Sequence, residues 1–189
     1  MSQNKKNRET GFSVFLKLLM SFVLLSVLAG CSATRTTSKP ADSSVSGTTT
    51  GQIQHEFAKK LEVSPNEITQ INLYNYINDW LGVKHRLGGN SKSGIDCSAF
   101  AGNLYREIYQ INLPRTSADM AKEIKPTKKH KLKEGDLVFF SFGKKRIDHV
   151  GIYLKNDRFV HVSSSKGVII SKLSDPWFEK YLVKYGYVN

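Results

Sequence analysis

The chain has 189 residues, 40% of them hydrophobic, and its 28 Lys and Arg against 16 Asp and Glu give a formal net charge of +12. That length holds one domain with a sizeable core, and the absence of any internal repeat argues against a second. The basic balance fits an anionic polymer or lipid head groups, and the two cysteines exclude a disulfide-rich scaffold.

The first thirty residues read as an address. Lys5, Lys6, Arg8 and Lys17 precede an apolar run from Leu18 to Leu28, broken by Ser21 and Ser26. This is a basic n-region and an h-region too short to span a bilayer comfortably. The run ends in Leu28-Ala29-Gly30-Cys31, which resembles the lipobox of bacterial lipoproteins. The resemblance implies cleavage of residues 1–30 and acylation of the Cys31 sulfur and new amino group, with an uncleaved signal anchor as the rival reading. Ser32 follows, with no Asp to imply inner-membrane retention. In an organism with two membranes the expected location is the outer one, facing the periplasm; with one membrane it is the outer surface. Lipid on Cys31 leaves Cys97 unpaired in a compartment that permits disulfides. Such a thiol is either buried and inert or kept for its reactivity.

Residues 32–52 are rich in Ser, Thr, Gly and Pro without an apolar period, which predicts a flexible tether with a reach of about 25 Å. The domain is expected over 53–189. A short helix is predicted over His55–Leu61. Ser64-Pro65-Asn66-Glu67 carries an N-cap, a proline at the first position and a capping-box glutamate, predicting a helix through Leu73, Tyr76, Ile77 and Trp80 to a stop at Gly82. Val83–Ser93 reads as loop, Asp96–Gln110 as a helix, Leu113-Pro114-Arg115 as a turn, and Ser117–Ile124 as a short helix. Beyond Gly135 come four β-branched and aromatic runs, at 136–142, 149–154, 158–163 and 167–171, separated by turn residues as in an antiparallel meander. A brief helix at Asp175-Pro176-Trp177-Phe178 and a last strand over 181–188 complete an α+β domain with helices packed on one antiparallel sheet.

Chemistry concentrates at Gly94-Ile95-Asp96-Cys97-Ser98-Ala99-Phe100. Asp96 is the expected N-cap and Cys97 falls in the first turn, where the helix dipole is expected to lower the thiol pKa. His149 opens one predicted strand and His161 lies in the next, and adjacent antiparallel strands set such side chains on one face. A cysteine at a helix start, an imidazole facing it and a polar group orienting that imidazole are what nucleophilic acyl transfer requires. His55 and His130 are assigned to the surface.

Several blocks occur in order: Gly88-Gly89, Gly94-Ile95-Asp96-Cys97-Ser98, Leu113-Pro114-Arg115, Gly135-Asp136-Leu137-Val138-Phe139-Phe140, His149-Val150-Gly151-Ile152-Tyr153 and Phe159-Val160-His161-Val162-Ser163. Together they resemble the NlpC family of cell-wall cysteine peptidases, over about Leu73 to the end of the chain, and its small lipoprotein members above all. The resemblance implies a papain-like fold reduced to its core. Cys97 would be the nucleophile, His149 the general base and then acid, and His161 the residue orienting His149. The substrate implied is the peptide of peptidoglycan. By the same resemblance Asp96 and Ser98 would help hold a free amino group of the substrate, while Arg115 would either pair with a substrate carboxylate or form a structural salt bridge. One departure stands out: His85 occupies the place where the family commonly has a tyrosine. A neutral imidazole donates one hydrogen bond, so His85 is the candidate to serve the oxyanion.

Other readings fail on their residues. Gly89-Asn90-Ser91-Lys92-Ser93-Gly94 has P-loop spacing, but Ile95-Asp96 follows instead of Lys and Ser or Thr. The long spacings among Cys97, His149 and His161 make a poor zinc set, so neither metal nor cofactor is expected. The lysine-rich run 125–133 lacks interleaved aromatics, and nucleic acid is no partner for a secreted lipoprotein. The expected partners are peptidoglycan and, through Cys31, a membrane, with the protein a monomer. Two rivals to the endopeptidase remain: a wall-binding lipoprotein of the same fold with little or no turnover, which His85 keeps open, and an amidase or acyltransferase using the same Cys–His pair.

Overall fold

A computed structural model describes residues 49–143 and 146–189; the expectations for the leader, for Cys31 and for the tether up to residue 48 lie outside them. Helix α1 (Thr50–Leu61) opens on a capping box in which Thr49 Oγ1 accepts from the Gln52 N–H and Gln52 Oε1 accepts from the Thr49 N–H. The helix therefore begins before the expected start at His55 and takes in residues 50–52, the end of the expected tether. Its buried residues Ile53, Phe57 and Leu61 recur every fourth position and form one stripe.

The next helix differs from expectation. The capping-box residues at Ser64 and Glu67 start a single 3₁₀ turn, Pro65–Glu67, in which Glu67 accepts from the Ser64 N–H at 2.9 Å. The chain then leaves the helix to bury Ile68 completely, and α2 (Ile71–Trp80) starts afresh. Burial of one large aliphatic side chain, about 2 kcal/mol, outweighs continuation of the helix. Helix α3 (Cys97–Leu104) is also shorter than the expected 96–110. A π-helical segment, Tyr105–Tyr109, continues it and ends at Gln110 with φ 58°. Helix α4 (Ser117–Glu123) follows.

Strands β1 (Asn90–Ser91) and β2 (Gly94–Ile95) form a small antiparallel hairpin that begins inside the expected loop and ends just beyond it. The main sheet is built from β3 (Lys125–Pro126), β4 (Leu137–Phe140), β5 (His149–Tyr153), β6 (Arg158–Ser163), β7 (Gly167–Lys172) and β8 (Leu182–Tyr187), in the order β3-β8-β4-β5-β6-β7. All its pairings are antiparallel. The meander β4–β7 is the one expected. Strand β8 adds to its other side, and β3, from the lysine-rich run, pairs at the edge.

The two faces of the sheet bury different sets. Leu137, Phe139, Val150, Ile152, Val160 and Val162 pack with Phe57, Leu73, Ile77, Phe100 and Leu104 of the helices. Val138, Phe140 and Phe159 face the other way, against Leu173 and the side chains of α5 (Pro176–Tyr181). Helices thus cover both faces of the one antiparallel sheet that the sequence predicts. The continuously buried run Leu137–Phe140 is what a strand covered on both sides requires.

Candidate active site

The β1–β2 hairpin delivers Cys97 to its place. The Asp96 N–H donates to Gly89 O at 3.2 Å, and Ile95 is tied to the 84–86 segment by bonds from the Ile95 N–H to Lys84 O and from the Arg86 N–H to Ile95 O. Gly89 permits this approach: a Cβ there would lie 2.4 Å from Gly94 O. Asp96 then caps α3, accepting from the Ala99 N–H at 2.7 Å, and Cys97 occupies the first helical position, half-buried and free of any disulfide.

Asp96 does more than cap. Its Oδ1 also accepts from Ser98 Oγ at 3.0 Å and from Arg115 Nη1 at 3.0 Å, and its Oδ2 from Arg115 Nη2 at 2.6 Å. Arg115 Nη1 donates to Ser98 Oγ as well, at 2.8 Å. Burial pushes the Asp96 carboxyl up, but Arg115, the Ala99 N–H and Ser98 together hold it below the usual carboxylate range. Asp96, Ser98 and Arg115 therefore form one bonded group beside the cysteine.

His149 and His161 meet as the strand pattern predicts. In the β5–β6 ladder His161 stands opposite Gly151, so His149 is its diagonal neighbour on the same face. His149 Nε2 lies 2.9 Å from His161 Nδ1, and His161 Nε2 lies 3.0 Å from Ser171 Oγ. Two concerted proton arrangements satisfy this chain of bonds. In one of them both rings donate toward Ser171 and the His149 Nδ1 is bare. Phe159 stacks on the His161 ring at 4.8 Å and Phe178 meets it edge-on at 5.2 Å, while Phe140 and Phe142 flank His149. His161 is only 3% exposed. Burial lowers the His149 imidazole to about 4, with Asp148 resisting and His85 adding to the shift; burial and then His149 take His161 down to about 3. Both rings are neutral at pH 7.

Cys97, both histidines, His85 and the Asp96–Ser98–Arg115 group all line one cleft of about 990 Å³, which Phe142, Trp177 and Phe178 line as well. The sulfur lies beside the backbone N–H of Val150, the residue after His149. One expectation fails here. Burial pushes the Cys97 thiol above its ordinary value and the Asp96 charge adds to this, against the pull of the N–H groups of Val150, Ser98 and Cys97 itself. A few helix-start dipoles do not offset the loss of water around a thiolate. His55 and His130 are exposed, as expected of surface residues.

Ser171 and the aromatic rim were not foreseen. A lone serine near the end of a strand has no signal of its own, and its partnership with His161 follows only from the β6–β7 register, which sets Ser171 opposite Phe159. Trp177 and Phe178 read in sequence as no more than a helix start, whereas in the fold both line the cleft and Trp177 is 58% exposed.

Residues 82–186 match the NlpC/P60 family. The chain is 45% identical over 102 residues to the murein DD-endopeptidase MepS/murein LD-carboxypeptidase of Escherichia coli K12, covering 54% of each protein. It is 38% identical over 109 residues to the probable endopeptidase NlpC of the same strain, covering 57% of this chain and 71% of that one. The chain thus spans about half the length of MepS. A crystal structure of an NlpC/P60 family protein from Bacillus cereus superposes with a TM-score of 0.58 at 27% identity, over 63% of this chain and 40% of that one.

Proposed function

We propose, from the premise that this chain belongs to the NlpC/P60 family, that it is a cysteine endopeptidase hydrolysing peptide bonds in peptidoglycan. Cys97 acts as nucleophile, His149 as general base and then acid, and His161 orients His149. The observation that carries the reading is the 2.9 Å His149–His161 bond in the cleft that Cys97 also lines. Naming of the E. coli relative as a murein endopeptidase supports the substrate class.

The resting pair is a thiol and a neutral imidazole, not an ion pair. The Cys97 proton therefore passes to the bare Nδ1 of His149 as the sulfur attacks the scissile carbonyl carbon, whose π electrons move to oxygen. His149 Nε2 keeps its proton and its bond to His161, and His161 passes the same orientation on to Ser171. Collapse of the oxyanion breaks the C–N bond, the departing amine takes the proton from His149, and a thioester remains. Water, deprotonated by His149, attacks that thioester and restores the thiol. Backbone N–H groups at the start of α3 and the His85 ring, which faces the same cleft, are the donors available to the oxyanion. Substituting His85→Tyr tests its part in this.

The same proposal takes in the leader: signal cleavage before Cys31, lipid on that residue, and a tether of residues 32–49 holding the domain near the wall. The lipobox sequence supports this, and the location proposed with it is the outer membrane in an organism with two membranes. The mass of the mature protein tests the anchor directly: it should carry lipid on Cys31, whereas Cys31→Ala should retain its leader and carry none. Incubation of the purified protein with defined muropeptides, followed by mass analysis, tests the activity. Cleavage lost in Cys97→Ala is the expected result; binding of muropeptides with no product from the unaltered protein would replace the enzyme by a wall-binding protein.

A further inference from the structure

Aromatic rings gather in the cleft beyond the residues the mechanism uses. Phe142 lies on Trp177 with centroids 6.1 Å apart and planes 20° from parallel. Tyr181 meets both edge-on, at 5.3 Å from Phe142 and 4.9 Å from Trp177. Phe142 also flanks His149 at 5.4 Å, so the rings run outward from the base. Trp177 keeps 58% of its surface open even so, and it faces the cleft that Cys97 lines.

The group is held in place. Asp148 accepts from the Phe142 N–H at 2.9 Å and from the Gly143 N–H at 2.7 Å, and Ser141 Oγ donates to Arg146 O at 2.8 Å. Trp177 opens α5, where its own N–H donates to Asp175 Oδ1 at 2.9 Å. Rings fixed beforehand lose little freedom when a ligand settles on them. The stem peptides of peptidoglycan are built of alanine, acidic and diamino residues, with no large apolar side chain to cover an indole. The polymer's other component is a chain of amino sugars. A pyranose presents a face of C–H bonds, which suits the negative face of an aromatic ring, and polar groups around its edge. Arg146, Ser163 and Ser164 line the same cleft and can hydrogen-bond to those groups.

We propose that Trp177, backed by Phe142 and Tyr181, is a sugar platform: the amino sugar that carries the stem peptide stacks on the indole while the peptide runs past His149 to Cys97. This rests on the peptidoglycan endopeptidase reading and adds that the preferred substrate is a stem still joined to its glycan. The steps from His149 to Phe142 and from Phe142 to Trp177, 5.4 Å and 6.1 Å, are a span that a few extended residues cover at about 3.3–3.6 Å each.

The test compares one stem peptide in two forms, its amino end acylated by lactate alone or by the N-acetylglucosaminyl–N-acetylmuramyl disaccharide through the same lactyl group. The amine is blocked in both, so only the sugars differ. With the unaltered protein the disaccharide form is expected to have the higher kcat/KM, by about fivefold or more and mainly through KM, the size of effect one aromatic contact gives. Trp177→Ala and Trp177→Leu should bring that ratio near one, and Trp177→Phe, which keeps a ring, should retain part of it. A ratio at or below one in the unaltered protein, or one that Trp177→Leu leaves intact, would overturn the proposal. A ratio of one together with self-association that Trp177→Ala removes would assign the rings to a second copy instead. If neither form is cut, the endopeptidase reading itself fails. Calorimetric affinities of the Cys97→Ala protein for the two forms then judge Trp177 alone: tighter binding of the disaccharide form, lost on Trp177→Leu, upholds the platform, and equal binding overturns it.

Discussion

The Cys97 sulfur and the His149 ring are each held neutral by the same cause, withdrawal from water, and this sets the pH behaviour of the site. In the proposed mechanism His149 must be unprotonated to act as base, and with that ring lowered to about 4 the acid limb of kcat/KM should fall near pH 4, well below the ordinary imidazole value of about 6.5. Alkylation of the resting Cys97 thiol should be slow at pH 7 and climb only in alkaline solution, because burial raises that thiol. Fast alkylation that stays constant from pH 5 to 7 would instead reveal a thiolate–imidazolium pair. Ser171 can be judged at the same scale. Ser171→Ala removes the partner of a buried imidazole nitrogen, a loss of about 1 kcal/mol. The expected result is a severalfold drop in kcat with KM unchanged, restored by Ser171→Thr, which keeps the hydroxyl.

Among the elements, the small β1–β2 hairpin has an influence out of proportion to its length. It holds Gly89 O against the Asp96 N–H and so fixes the residue that caps α3 and aligns Arg115. A Cβ at Gly89 would collide with backbone oxygens of both Gly94 and Arg86, and neither has room to yield without opening the turn. Gly89→Ala should therefore cost about 2–3 kcal/mol, at the upper end for a single substitution. Thermal unfolding measures the stability loss, and cleavage by the remaining folded protein should also fall as Cys97 shifts. An alanine here that left both unchanged would mean the hairpin does not position the cysteine. The capping motifs were legible in the sequence at Ser64–Glu67 and at Asp96. How far each helix ran was not. Ile68 interrupted the one and the π-helical segment at Tyr105 reshaped the other, because burial of distant side chains decided where the helical ladder was worth continuing.

For the molecule as a whole, two buried neutral imidazoles tie stability to pH. Both folded-state values, about 4 for His149 and about 3 for His161, lie below the unfolded value of about 6.5. As pH falls through that window the unfolded chain takes up protons that the folded one refuses, so stability is full above about pH 6.5 and drains away toward pH 3–4. Asp96, held low by Arg115, adds a further loss in acid, with the same sign. The melting temperature should drop by several degrees between pH 7.5 and 4.5, with a flatter dependence in His161→Gln. An unchanged melting temperature across that range would contradict the burial of the pair.

Local rules settled much of this protein from its sequence. Short β-branched and aromatic runs between turn residues marked the meander β4–β7, an acid before a cysteine marked the start of α3, and the order of the Cys97, His149 and His161 blocks carried the family. These depend on neighbours within a few residues, where backbone geometry and hydrogen bonding act directly. Tertiary packing decided the rest: which face of the sheet holds the histidines, that Ser171 completes their chain of bonds, that Arg115 pairs with Asp96, and that the thiol rests protonated. Each of these turns on groups brought together from far along the chain and on how much water is left around them, and a linear pattern of residues records neither.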